Sequence, residues 1–256
     1  MALHDRAHVQ ALLRTLYGRD TFADDTGVVH VLAAFAHGDR RDVIRIGPAA
    51  PRSATDGFVL GFSRARADAI LTTGKILRDE PDLRYDLPEA DRDGLSAWRR
   101  EIHGRHAPPK VVILTRALDI DPRHPIFRSW AQPVLFTTPA GAQAWRSRLP
   151  VPVVADPQCS ARSAIAWARR AGLRSISIEA GPSTALELYR DPCVVDEVLL
   201  SLARVVPAAG AAGGPFLSRD ELRRIATLCS SYARDESSGP WTFERWRLPR
   251  SRAQAG

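Results

Sequence analysis

The sequence predicts an α/β protein: a three-layer α/β/α sandwich around a mostly parallel sheet, with an antiparallel C-terminal strand at its edge. Three observations carry this expectation. Short apolar runs at 69–73, 110–115, 133–138, 151–155 and 175–179 recur along the chain. Segments with helical spacing separate several of them, which is the pattern of strands joined by crossover helices. The runs are nearly continuous in apolar residues rather than alternating, as befits strands covered on both faces.

Taken in order, an amphipathic helix is expected from Asp5 to about Gly18, within an N-terminal extension over 1–27 that precedes a single domain at 28–248. Residues 28–36 read as the first strand, followed by a turn at Gly38-Asp39 and a short second strand at 42–46. The stretch 47–55 is rich in Gly, Pro, Ala and Ser and reads as a loop. Phe58, Phe62 and Ala65 recur at helical spacing within 56–68, and the strand at 69–73 runs straight into Gly74. Residues 81–93 are polar and loop-like, and 96–103 form a charged helix. Helical patterns follow at 140–148 and 160–171, the second with Ser160 as N-cap and Gly172 as its stop. Residues 194–206 are a longer strand-like run, 208–214 are small and flexible, and 221–228 are helical. Residues 241–248 alternate aromatic and polar side chains, as an edge strand does, and from Pro249 onward a disordered tail is expected.

Composition narrows the function. The chain has 256 residues, 45% of them hydrophobic, enough to bury a sizeable core. No apolar run approaches the roughly 20 residues that a membrane helix needs. Asp5, Arg6 and Arg14 interrupt the N-terminal apolar residues, so a secretory signal is not expected and a cytoplasmic location is. Cys159, Cys193 and Cys229 are far apart and odd in number, which fits structural thiols rather than a disulfide framework. His30, His37, His103, His106 and His124 show no metal-ligand spacing, so no metal is expected. The net charge is +7, carried almost wholly by arginine, since Lys75 and Lys110 are the only lysines. There is no lysine-rich block, zinc-finger spacing or aromatic RNA-binding signature. A small phosphorylated molecule accounts for the charge, and no nucleic-acid or membrane partner is expected.

Three segments suit chemistry. In Ile178-Glu179-Ala180-Gly181-Pro182-Ser183-Thr184 a buried strand turns tightly into a helix. Gly181 permits close backbone approach, Pro182 suits the first helical turn, and the hydroxyls of Ser183 and Thr184 can donate, so the turn fits a phosphate. Around Thr73-Gly74 a second strand empties into a Gly turn, with Lys75 and Arg78 as cations and Asp79-Glu80 as a carboxylate pair. At Thr115-Arg116 an arginine follows a third strand, placed to fork onto a phosphate such as the 2′-phosphate that separates NADP from NAD.

In this order the motifs resemble the reductase family of riboflavin biosynthesis, within the dihydrofolate-reductase-like group, in particular the C-terminal reductase part of the bifunctional deaminase–reductase. Arg64 to Ile70 matches Arg-x-x-x-Asp-Ala-Ile, and Asp79-Glu80-Pro81-Asp82-Leu83 matches Asp-Asp-Pro-x-Leu. Glu179 to Thr184 matches Glu-Gly/Ala-Gly-Pro-Thr, and Val195-Asp196-Glu197 matches Val-Asp-Glu. The resemblance covers residues 28–248 and implies an NADPH-dependent reductase of a small heterocyclic, phosphorylated substrate. It implies that Gly181, Pro182, Ser183 and Thr184 hold the pyrophosphate, that Thr115 and Arg116 contact the adenosine phosphate, and that Thr73, Gly74 and Lys75 complete the cofactor site. Asp79 and Glu179 would face each other across the substrate cleft as catalytic residues, with Asp39 and Arg84 on the substrate. A homodimer is also implied, motivated by the apolar run 194–206 and the aromatic strand Trp241 to Trp246.

The sequence departs from the pattern at several places. Thr72 and Lys75 stand where the family has Gly and Thr, Ala36-His37-Gly38-Asp39 replaces Ser-Leu-Asp-Gly, and the substrate arginine after Pro81 falls on Asp86. The zinc-deaminase signature, His-x-Glu followed by Pro-Cys-x-x-Cys, is absent. A second expectation is therefore a non-catalytic nucleotide-binding module with a changed substrate site.

Overall fold

The computed structural model describes residues 5–22, 26–117 and 119–249. Its strands are β1 (Gly27–His37), β2 (Arg40–Ile44), β3 (Ala69–Thr73), β4 (Lys110–Leu114), β5 (Gln132–Thr137), β6 (Val153–Ala155), β7 (Ser175–Ile178), β8 (Glu197–Ala203), β9 (Ala212–Pro215), β10 (Thr227–Glu236) and β11 (Gly239–Arg247). The helices are α1 (Arg6–Tyr17), α2 (Ala54–Arg66), α3 (Gly74–Asp79), α4 (Arg92–His103), α5 (Pro139–Trp145), α6 (Ala161–Arg170), α7 (Pro182–Ala185) and α8 (Arg219–Ile225). The sheet order is β10-β11-β8-β1-β7-β3-β4-β5-β6. From β8 to β6 every neighbouring pair is parallel, and β11 and β10 are added antiparallel. β2 pairs with the last residues of β1, past the point where β7 has ended, and β9 pairs with β2. The predicted fold class is the observed one.

The two-residue period of the strands sorts their side chains onto two faces. Ile70, Val111, Ile113 and Leu135 pack with Leu77 and Trp145. On the same face Val29 and Val31 pack with Phe58 and Phe62 of α2 and Leu95 and Trp98 of α4. Leu71, Val112 and Phe136 point the other way, onto Ala161, Ala164, Ile165 and Ala168 of α6. Handedness explains this division. The connections through α2, α4 and α5 step one way along the sheet, whereas α6 carries the chain back across it, so right-handed crossovers place α6 on the opposite face.

The N-terminal segment is part of this core. Asp5 caps α1 through the His8 N–H, and Gly18 ends it in the left-handed region at φ 69°. Phe22 is fully buried, with the guanidinium carbons of Arg66 and Arg245 5.1 and 5.2 Å from its ring centre. Both arginines clasp Glu197 at the start of β8, each with an N···O distance of 3.0 Å. Burial alone would raise the Glu197 pKa, but Arg66 and Arg245 outweigh it and hold the carboxyl at about 2.

Several expectations need correction. The strand expected at the edge, β11, lies one position inside it; the edge is β10, a mostly exposed strand whose polar sequence gave no signal. The helix expected to 228 stops at Ile225, where the chain turns into β10. The expected flexible stretch contains β9. The runs that motivated the dimer are interior: all seven residues of β8 are buried, and Trp241, Phe243 and Trp246 are each 1% exposed. The tail beyond Pro249 lies outside the described residues.

Candidate functional site

The parallel strands bring the carboxyl ends of β3, β4 and β7 to one edge of the sheet. From β3 the chain leaves toward β4, and from the adjacent β7 it leaves the other way, toward β8. Their connections diverge onto opposite faces, which opens a crevice between them at the switch point where such sheets bind ligands.

A buried polar cluster occupies this crevice. Leu71 pairs with Ile178, and the Glu179 N–H donates to the Leu71 carbonyl at 2.9 Å, so Thr72 and Glu179 stand side by side on the face covered by α2. Arg64 leans back along α2 toward the carboxyl edge, the direction helical side chains take. It grips Glu179 with two arms, Nε–Oε1 at 3.0 Å and Nη2–Oε2 at 2.7 Å. Its Nη1 donates to the Asp86 carbonyl at 3.0 Å, and its guanidinium carbon lies 4.7 Å from the Tyr85 ring centre. Each partner's side chain is 9% exposed. Burial opposes the charge on Arg64, yet Glu179 outweighs it and raises the arginine pKa. A buried pair of this kind costs about 3–5 kcal/mol to break by removing one partner.

Three further groups complete the cluster. The Thr72 hydroxyl is fully buried beside the Tyr85 phenol. Tyr85 is buried, which pushes its phenol well above the ordinary value. Glu80 is half-buried at the end of α3. Burial raises its pKa; Arg64 opposes this, while Asp79 and Glu179 add to it. His124 fixes the backbone here. Its Nδ1 accepts the Ile126 N–H, leaving the proton on Nε2, which lies 3.1 Å from the carbonyl oxygens of both Leu77 and Glu80.

The glycine turns flank the cluster. Thr73 caps α3 by accepting the Ile76 N–H, and Gly74 presses against the end of β4. A Cβ on Gly74 would lie 2.6 Å from Thr115 Oγ1, so only glycine lets these two strand ends meet. At the end of β7, no atom stands within 4 Å of where a Cβ on Gly181 would be. This backbone is open to a ligand.

The structure thus gathers Thr73, Gly74 and Thr115 on one side of the crevice and Glu179 with Gly181, Pro182, Ser183 and Thr184 on the other. Arg116 is exposed, and its Nη2 donates to the Gln158 carbonyl at 2.8 Å. Asp79 does not face Glu179. It pairs with Lys75 one turn earlier on the exposed side of α3, while Glu179 is taken by Arg64. Glu80, one residue later, is the acidic neighbour of the buried pair. Asp39 anchors the start of α8: its carboxylate accepts the Asp220 N–H and its carbonyl the Arg219 N–H, both at 3.0 Å. Arg84 is exposed and makes no hydrogen bond or ion pair among the described residues. The sequence pointed to Glu80 only as half of a carboxylate pair, to Arg64 only as part of a motif and to Thr72 only as a departure from the family pattern, and gave no role to Tyr85. One signal was present in Ser63-Arg64-Ala65-Arg66-Ala67: two arginines among small residues at the end of a helix, both buried because each has a carboxylate on the sheet.

An open, mostly parallel sheet covered by helices on both faces, with a polar crevice at its switch point, defines the class of doubly wound α/β proteins. Within that class the chain belongs to the RibD C-terminal domain family, whose family model matches residues 35–225. Solved structures share its fold. A pyrimidine reductase-like protein from Corynebacterium diphtheriae has 23% identity and a TM-score of 0.63, over 88% of this chain and 93% of that one. The diaminohydroxyphosphoribosylaminopyrimidine deaminase/5-amino-6-(5-phosphoribosylamino)uracil reductase from Thermotoga maritima has 16% identity and a TM-score of 0.56, over 88% of this chain and 57% of that one. The Saccharomyces cerevisiae riboflavin biosynthesis reductase Rib7 has 14% identity and a TM-score of 0.51, over 94% of this chain and 98% of that one. No curated protein matches the sequence. Among the described residues no helix is long and apolar enough to cross a membrane, and no group of three His, Cys, Asp or Glu side chains could hold a metal ion.

Proposed function

We propose that this chain is an NADPH-dependent reductase of a small heterocyclic, phosphorylated substrate, similar to the pyrimidine reductases of riboflavin synthesis. The observation that carries this reading is the Arg64–Glu179 pair beside the Thr72 hydroxyl, all buried where the connections of β3 and β7 part. The family and the activities for which the structural neighbours are named support it. The residues present fit the cofactor: the Gly181 backbone is open, and Gly74 and Thr115 meet too closely for any side chain between them. Gly181 to Thr184 would hold the pyrophosphate, and Thr73, Gly74, Lys75, Thr115 and Arg116 the adenosine side. When bound, the reduced nicotinamide supplies a hydride. Arg64 holds Glu179 in place from two sides. Glu179 then accepts hydrogen bonds from substrate hydroxyls or amines and steadies positive charge at the reacting carbon. The enzyme works in the cytoplasm on a diffusible substrate, as a homodimer joined at the edge strand β10.

One observation favours a second reading, a nucleotide-binding module without turnover. Asp86, where the family pattern has a substrate arginine, is committed to the Trp130 N–H at 2.6 Å. Loss of NADPH absorbance with aminopyrimidine ribose phosphates, dihydrofolate and related pterins separates the two. Oxidation that stops when Glu179 is replaced by glutamine supports the reductase; tight NADPH binding without oxidation supports the module.

A further inference from the structure

We infer that Glu80, rather than Asp79 or Glu179, delivers the proton that completes the reduction, an inference that rests on the reductase reading above. Reduction of a carbonyl or imine needs two deliveries. The reduced nicotinamide gives a hydride, with both electrons, to carbon and is left oxidised. The π bond breaks toward oxygen or nitrogen, which must take a proton to become an alcohol or amine. The donor must stand at the crevice, be protonated when needed, and recover its proton from water.

The groups of the cluster sort themselves by these demands. Glu179 has both carboxyl oxygens engaged by the two arms of Arg64. Asp79 is turned outward onto Lys75 and is 57% exposed. Tyr85 holds a proton, but at 1% exposure it has no route to water for its return. His124 spends its Nε2 proton on two backbone carbonyls. Glu80 remains. Its carboxylate makes no hydrogen bond or ion pair among the described residues; it is half-buried, its backbone is pinned by His124, and Arg64 and Glu179 act on it from the cluster.

The charges facing Glu80 come from every element around it: Arg64 on α2, Asp79 on α3, Glu179 beyond β7, Tyr85 in the following loop, and His124 against its carbonyl. Burial disfavours its charge, and the carboxylates of Asp79 and Glu179 add to this against Arg64, so the acid form persists to higher pH than in an ordinary glutamate. Once it has donated, the new Glu80 carboxylate faces the Arg64 guanidinium, which steadies it until water returns the proton.

The test uses the whole chain, wild type and Glu80→Gln. The carboxyl signal of Glu80 in carbon-13-glutamate-labelled free protein, assigned by its absence from the variant, should titrate above the ordinary range. Wild-type kcat should fall as pH rises through that same value. In Glu80→Gln, kcat should drop by about 100-fold and lose this pH limb, while NADPH affinity and melting temperature stay the same. A Glu80 signal that titrates at an ordinary carboxylate value overturns the inference without reference to turnover. So does a variant with wild-type kcat and an unchanged limb, which leaves the reductase reading standing. Wild-type protein that oxidises no NADPH with any substrate overturns the reading itself, and the inference with it.

Discussion

Glu197 sits between two arginines drawn from distant parts of the chain, and replacing it by glutamine isolates what they do. Arg66 and Arg245 would then hold buried charges against a neutral amide. Losing one member of such a cluster costs about 3–5 kcal/mol. The titration of Glu197 gives a second route to the magnitude. Its carboxyl titrates at about 2, against 4.5 for an unperturbed glutamate. At about 1.4 kcal/mol per pKa step, this contributes about 3 kcal/mol of stability. Because the folded-state value is depressed, the contribution is complete above the unfolded value and is lost as pH falls from 4.5 through about 2. A domain of this size shifts by about 2–4 °C per kcal/mol, so Glu197→Gln should melt roughly 6–20 °C below wild type at pH 7. Thermal melting by circular dichroism at pH 7, 4 and 3 reads this directly. The gap should narrow toward pH 3, as wild type gives up its advantage. A variant that melts together with wild type at pH 7, or a gap that does not change with pH, would refute the reasoning.

Gly74→Ala would press a methyl group onto Thr115, and overpacking of this kind costs about 1–3 kcal/mol; an unchanged denaturation midpoint would show that the strand ends yield freely. Arg116→Ala should weaken NADPH binding by about 1.5–3 kcal/mol and leave NADH nearly unchanged; equal losses in calorimetry would show that Arg116 does not read the 2′-phosphate. β10 presents ten residues that pair with no strand on their outer side among the described residues, with Leu228 38% exposed. An open edge of this length favours pairing with a second copy. Light scattering should give twice the 28.1 kDa chain mass, and a 28.1 kDa particle at micromolar concentration would contradict it.

The centre of the fold was legible because strands buried on both faces, such as β3, β4 and β7, print as unbroken apolar runs. The C-terminal edge was not. β10 is mostly exposed and carries Thr227, Ser230, Ser231 and Arg234, which give no two-residue period to read. β11 alternates like a half-solvated strand, yet Glu244 and Arg245 are both buried. Glu244 pairs with Arg41 and Arg245 with Glu197, partners too distant in sequence to be inferred from the strand itself. At the site, the turns at Gly74 and Gly181 were legible because a buried strand empties into each. The choice between Asp79 and Glu80 was not, since adjacent carboxylates look alike in sequence. It depends on where α3 ends: Asp79 completes the helix and reaches back to Lys75, and Glu80 leaves it beside the buried pair. Asp39 was illegible for another reason, because its partners on α8 lie some 180 residues downstream.

On the proposed function, the crevice at the switch point receives a nicotinamide dinucleotide against the backbone of Gly181. Its backbone is extended, with φ −61° and ψ 161°, and the space before it is empty, so Gly181→Val should fold as wild type does. The added side chain would instead stand where the pyrophosphate must approach. NADPH titration followed by nicotinamide fluorescence should show affinity reduced about tenfold or more, with the melting temperature unchanged. Wild-type affinity in a variant with wild-type melting would contradict the account.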